Sequence, residues 1–254
     1  MTDEAEPTVQ DAILGGRLRL RQPARGHRAG TDAVLLAAAI GLTEGVLCDA
    51  GAGVGAVGLA AAIDRPGLKA TLIERDSFTA RLARANAALN GLEARVRVAE
   101  ADLTQASARR AAGLADSFAD CLATNPPWLV PGRARVSPHA RRAAAHAHDE
   151  GGEGLEGWMR AAAALTRPGG QLALIHRADH LAQVLSACEG RFGALSVLAI
   201  HPRAQEPAHR IIVRGVKGSR APLRILPPLI LHEGTGFTPL AEALHRGEAT
   251  LGEG

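Results

Sequence analysis

Gly45-Val46-Leu47-Cys48-Asp49-Ala50-Gly51-Ala52-Gly53-Val54-Gly55 reads as a buried strand running into a glycine turn. An apolar helix, Val54–Ile63, continues from it. Alternating glycines let the chain turn tightly and let a ligand approach the backbone. Ala70–Glu74 reads as the next strand, and its terminal acid lies about twenty residues beyond the glycines, where a carboxylate meets a ribose diol. Gly51-x-Gly53-x-x-Ala56 also fits a relaxed dinucleotide pattern, so the loop alone leaves a nicotinamide ligand open. Asp49, immediately before the loop, suits a ligand carrying positive charge better than a pyrophosphate.

Downstream the alternation continues. Ser77–Asn90 reads as a helix with Ser77 as its cap and Gly91 as its stop. Arg95–Ala99 is a third strand, ending near Asp102, and Ser107–Gly113 is a weaker helix. Phe118–Thr124 is a fourth strand, Leu155–Thr166 a helix, Gln171–His176 a fifth strand and Asp179–Gly190 a helix. Leu195–His201 and His209–Val216 have no helix-length segment between them and so pair antiparallel. The fold class is α/β: a Rossmann-like three-layer sandwich with a mostly parallel seven-stranded sheet and an antiparallel last strand. Asp11–Gln22, around Gly15-Gly16, reads as a small N-terminal hairpin. Arg17, Arg19, Arg21, Arg25, His27 and Arg28 crowd this part of the chain. Thr31 or Asp32 caps the helical run Ala33–Ile40. The expected organisation is a disordered 1–10, one domain over 11–240 with 11–32 as hairpin and lid segment, and a tail over 241–254.

The fourth strand closes on Asn125-Pro126-Pro127-Trp128. In an open α/β sheet, ligands bind beyond the carboxyl ends of the strands. Asn-Pro and Pro-Pro are ordinary turn dipeptides. Here they place an amide oxygen beside a rigid carbonyl, a pair of acceptors suited to a planar –NH2 group, with an indole to stack on its carrier. Asp49, Glu74 and Asp102 end successive strands and so converge on the same edge. Together these features favour S-adenosylmethionine over a nicotinamide dinucleotide.

Of the residues, 46% are apolar and none is Tyr; the net charge is +3. This mildly basic balance is compatible with a nucleic-acid partner. Cys48, Cys121 and Cys188 are odd in number and lack metal-ligand spacing, which implies a reduced, cytoplasmic protein without disulfides or zinc. The polar N-terminus argues against a signal peptide. Ala33–Ile40 is too short to span a bilayer, so no membrane is expected.

The chain resembles class I S-adenosylmethionine-dependent methyltransferases with the Asn-Pro-Pro-aromatic signature, and is most similar to the bacterial tRNA(Val) adenine-N6 methyltransferase family. The resemblance rests on Gly30-Thr31-Asp32-Ala33-Val34-Leu35-Leu36, the Asp49–Gly55 loop, Asn86-Ala-Ala-Leu-Asn90-Gly91, Asn125-Pro-Pro-Trp128 and Arg167-Pro-Gly169-Gly170. It implies catalysis by Asn125, Pro126, Pro127 and Trp128. It also implies cofactor contacts from Thr31, Asp32, Asp49, Gly51, Gly53, Gly55, Glu74, Arg75, Asp102, Leu103 and Asn125, with no metal. The implied reaction is methylation of an exocyclic amine, adenine N6 of tRNA or another structured RNA. Arg133, Arg135, Arg141 and Arg142, with Lys217 and Arg220 as a second cluster, are expected to contact RNA phosphates. Trp158 and Met159 read as core. Competing readings are a protein glutamine N5-methyltransferase, which poses the same amide problem, and an RNA-binding protein on this fold without catalysis.

Overall fold

In the computed structural model the described residues are 7–25, 28–127 and 154–252. Their central sheet is built from parallel β3 (Gly45–Ala50), β4 (Leu68–Glu74), β5 (Val96–Glu100), β6 (Ala119–Thr124) and β7 (Thr166–Arg177), with β8 (Phe192–His201) and antiparallel β9 (Arg210–Lys217) completing it. The order across the sheet is β8-β9-β7-β6-β3-β4-β5. The short β10 (Arg224–Ile225) and β11 (Leu229–Ile230) add to the β8 edge in parallel, which makes nine strands rather than the expected seven. The expected antiparallel pair is β8 with β9, in register from Ser196↔Arg214 to Ile200↔Arg210.

Helices cover both faces because each strand alternates. Leu47, Cys121, Ala123, Ala173 and Ile175 point to one core, and Cys48, Ala50, Leu122, Leu172 and Leu174 to the other. The first face is covered by α1 (Thr31–Ala38), α2 (Ala56–Ile63), α3 (Ser77–Leu89) and the β1–β2 hairpin (Thr8–Ile13 and Leu18–Pro23). The second carries α4 (Ala106–Ala111), α5 (Gly154–Leu165) and α6 (Leu181–Cys188). Burying an aliphatic side chain contributes about 1.5–3 kcal/mol, and Leu18, Leu20, Leu35, Leu36, Leu47 and Leu72 are wholly covered in the first core. The hairpin is thus part of the folded body.

Two helix starts differ by one residue from expectation. Gly30, not Thr31 or Asp32, is the N-cap of α1 and offers no side-chain bond. Asp76, not Ser77, caps α3, and its carboxylate accepts the Thr79 N–H. Gly91 does stop α3, with φ +66°. The C-terminal segment is no loose tail: β12 (His232–Glu233) and β13 (Gly236–Phe237) lead into α7 (Pro239–Arg246), which Thr238 caps. Ala241 and Leu244 of α7 are buried beside α1, and the Leu251 N–H donates to the Ala38 carbonyl. At the last residue of α7, Arg17 Nη2 donates to the Arg246 carbonyl at 2.6 Å. Cys48, Cys121 and Cys188 are free and buried; burial pushes the thiols of Cys121 and Cys188 up to about 12. No helix among the described residues is long and apolar enough to cross a membrane.

Candidate functional site

The carboxyl edge of the parallel strands gathers most of the expected residues. Ala50 of β3 lies in register with Ile73 of β4 on one side and Thr124 of β6 on the other. The glycine loop therefore leaves the sheet between the strand that ends in Glu74 and the strand that leads to Asn125. Its turn is enforced by left-handed backbone at Gly51, Gly53 and Gly55 (φ +73°, +56° and +87°). Among the described residues a Cβ at Gly53 would meet nothing within 4 Å, so this face of the loop is open for a ligand to lie against. Gly51 instead faces Trp158, whose Cζ2 would stand 2.8 Å from an added Cβ.

Asp49 points toward α2, and its Oδ2 accepts the Gly58 N–H at 2.8 Å. This close approach needs Gly58, since a Cβ there would meet Leu72 at 2.2 Å and Asp49 Cβ at 3.3 Å. Gly58 is a contributor that the glycine spacing alone did not single out. Burial, with a smaller push from the Glu74 charge, raises the Asp49 carboxyl to about 7 against the Gly58 hydrogen bond, which lowers it. A buried carboxyl poised near neutrality is stabilised as a carboxylate by any cation placed beside it. Glu74 braces the loop: Oε2 accepts the Gly53 N–H at 2.9 Å and Oε1 the Asp76 N–H at 2.8 Å. Arg75 beside it is exposed. Asp102 is held by the Thr104 N–H and hydroxyl on Oδ1. Leu103 is buried, and its carbonyl already accepts from Arg109 at 2.7 Å.

Asn125 is half-buried, Pro126 buried and Pro127 exposed. Among the described residues the Asn125 side chain makes no hydrogen bond, so its amide oxygen is uncommitted. Thr124, directly before it, is fully buried and donates to the Ala50 carbonyl at 2.8 Å. The Trp158 indole N–H donates to the same hydroxyl at 2.9 Å. Met159 is core as expected. Trp158 is half-buried: it packs against the second core and also lies against the glycine loop.

Other expected residues lie differently. Asp32 is on this edge, but Arg210 Nε reaches its carboxylate at 3.0 and 3.2 Å. The Thr31 hydroxyl faces His245 Nε2 at 3.1 Å. Lys217 ends antiparallel β9, which places it and Arg220 at the opposite edge of the sheet; Lys217 Nζ there donates to the Thr166 carbonyl at 2.6 Å. Trp128, Arg133, Arg135, Arg141 and Arg142 lie outside the described residues.

Acids at the ends of β3 and β4 and just past β5, with an open glycine turn and an amide acceptor, suit a ligand bearing hydroxyls, an amine and positive charge. They fit S-adenosylmethionine better than a pyrophosphate, which would lie at the glycine loop beside the Asp49 carboxyl.

The family model described as methyltransferase small domain matches residues 29–203. The tRNA1(Val) (adenine(37)-N6)-methyltransferase of Porphyromonas gingivalis is 30% identical over 219 residues, covering 83% of this chain and 83% of that protein. The structure of a predicted O-methyltransferase from Agrobacterium tumefaciens is 37% identical, with a TM-score of 0.73, over 86% of this chain and 97% of that one. The Thermus thermophilus 16S rRNA N2 G1207 methyltransferase, solved with AdoMet and guanosine, shares the fold at 21% identity and a TM-score of 0.53, over 83% of this chain and 50% of that one.

Proposed function

The chain belongs to the methyltransferase small domain family, and from that premise we propose that it methylates an exocyclic amino group, adenine N6 of a tRNA or another structured RNA. It is an S-adenosylmethionine-dependent methyltransferase. When bound, S-adenosylmethionine supplies an electrophilic methyl group on a sulfonium.

The chain's own residues hold that donor and present the acceptor. Asp49 and the open face at Gly53 take its cationic methionine end, Glu74 its ribose hydroxyls and Asp102 its adenine amine. An aromatic amine is a poor nucleophile because its lone pair is delocalised into the ring. Asn125 Oδ1 and the Pro126 carbonyl accept its two N–H bonds and let the nitrogen pyramidalise. The gain is orientation and electrostatics set for the transition state. Trp128 would stack on the extruded base, a contact worth about 1–3 kcal/mol that offsets part of the cost of flipping.

The observation that carries this reading is the uncommitted Asn125 amide, one strand from the glycine loop. It favours nitrogen over an alcohol acceptor, since a hydroxyl has one hydrogen to give and would leave one of the two oxygens idle. The relatives' tRNA substrate and the net charge of +3 favour RNA over a glutamine amide. The test is incubation with methyl-labelled S-adenosylmethionine and unmodified tRNA, ribosomal RNA or release factor in parallel. Label recovered as N6-methyladenosine after nucleoside digestion is expected. Label in the release factor alone would overturn the RNA reading.

A further inference from the structure

The hairpin has a face that the proposed chemistry does not use. In register, Gln10 opposes Arg21 and Ala12 opposes Arg19. Strand alternation puts Thr8, Gln10, Ala12, Arg19 and Arg21 on the exposed side, with Leu18 and Leu20 buried beneath. No carboxylate stands on that exposed side among the described residues. The hairpin's acid, Asp11, is on the other side, bonded by Gln22 and Arg28. Elsewhere arginines such as Arg17, Arg167 and Arg246 are paired with Asp64, Asp120 and Glu242. Among the described residues Arg21, and Arg25 at the hairpin's exit, are exposed without any such pairing, and Arg19 gives only one nitrogen, to the Leu89 carbonyl.

The backbone under these cations is fixed by side chains acting as a false strand. Asn90 accepts the Arg19 N–H at 2.9 Å and donates to the Arg19 carbonyl at 2.7 Å. Asn86, one turn earlier on α3, does the same to Arg21 at 2.7 and 3.0 Å. The buried Asn86 amide also donates to the Val54 carbonyl in the glycine loop at 3.0 Å. The two arginines are thus held about 7 Å apart along the strand, comparable to the step between successive phosphates, and in fixed register with the donor loop. From Arg21 the chain runs through Arg25 toward α1, whose Asp32 sits at the sheet's catalytic edge.

From this geometry we propose that the outer face of β2, with Arg19, Arg21 and Arg25, is the docking surface for the phosphodiester backbone of the RNA whose base enters the Asn125 pocket. The inference rests on the RNA reading above and specifies where that RNA is held. Phosphate contacts of this kind position a substrate without reading its sequence.

The test measures binding of unmodified bulk tRNA and of S-adenosylmethionine to the full chain. Arg21→Glu/Arg25→Glu is compared with the milder Arg21→Gln, which removes no described hydrogen bond, and with Arg220→Glu at the opposite edge. The double variant is expected to weaken tRNA binding at least tenfold. The slope of log K against log salt should shrink by about 1–2, with cofactor affinity unchanged. Arg21→Gln should follow in part and Arg220→Glu not at all. Unchanged tRNA affinity and salt slope in Arg21→Gln and in the double variant would overturn this docking surface while leaving the RNA reading intact. A wild-type chain that binds and methylates no RNA would overturn both.

Discussion

Trp158 donates its indole N–H to the Thr124 hydroxyl at 2.9 Å, and Thr124 passes a hydrogen bond to the Ala50 carbonyl at 2.8 Å. This relay ties α5 to the residue before the acceptor amide and to the residue before the donor loop. It fixes the position of Asn125 relative to the glycine loop, the span that the proposed transfer would cross. Trp158→Phe keeps an aromatic ring, smaller than the indole, and removes the N–H. It is expected to lower kcat about tenfold, or ~1.4 kcal/mol, with KM values for cofactor and RNA nearly unchanged. Steady-state kinetics check the split. A rise in KM with kcat preserved would make the indole a ligand contact instead of a positioning group.

Asn125→Ala removes the amide oxygen without touching any described hydrogen bond. Transfer should fall by about 10²–10³, the loss typical of one preorganised polar group facing the transition state. Calorimetry should return unchanged cofactor affinity. Normal transfer would remove Asn125 from the mechanism.

Asp49 makes a prediction about pH. Its folded carboxyl, raised to about 7, binds a proton more tightly than in the unfolded chain. Its contribution to stability is therefore greatest near pH 4 and falls as pH rises to about 7, on the order of 4 kcal/mol in all. Thermal unfolding of the ligand-free protein, wild type minus Asp49→Asn, should show that decline. The bound cofactor's positive charge should reverse the preference, so affinity should rise with pH toward 7 and proton release should accompany binding. A difference profile flat with pH would show that Asp49 is not protonated in the folded protein.

Asn86→Ala deletes bonds to Arg21 N–H, Arg21 carbonyl and Val54 carbonyl from a side chain with 0% exposure. A loss of about 3 kcal/mol is expected, at about 1 kcal/mol per bond. Denaturant unfolding measures it. Hydrogen exchange should show the Arg21 amide losing protection first, together with weaker cofactor binding through the loosened Val54.

The sheet was legible where burial on both faces wrote itself as an uninterrupted apolar run. Gly45–Ala50 has the expected bounds, and the β8–β9 pair follows from the absence of a helix between them. Helix caps shifted by one residue, because Thr31 and Asp32 are equally good caps in isolation and only packing puts Gly30 outside α1. The helix Pro239–Arg246 was missed because so short an amphipathic segment has little intrinsic stability and forms against α1. Lys217 and Arg220 illustrate another limit: a basic cluster in sequence does not say at which end of the sheet an antiparallel strand delivers it. Trp158 does pack on the core as expected, but its bond to Thr124 was not legible, since the two are 34 positions apart and no periodicity links them.

The contact between Arg17 and the Arg246 carbonyl joins positions 229 apart in the chain. Synthesis runs from the amino end, so the hairpin gets this clasp only after every strand of the central sheet has been made. Until α7 arrives, the apolar flank of α1 that Ala241 and Leu244 cover stays bare to solvent in the nascent protein.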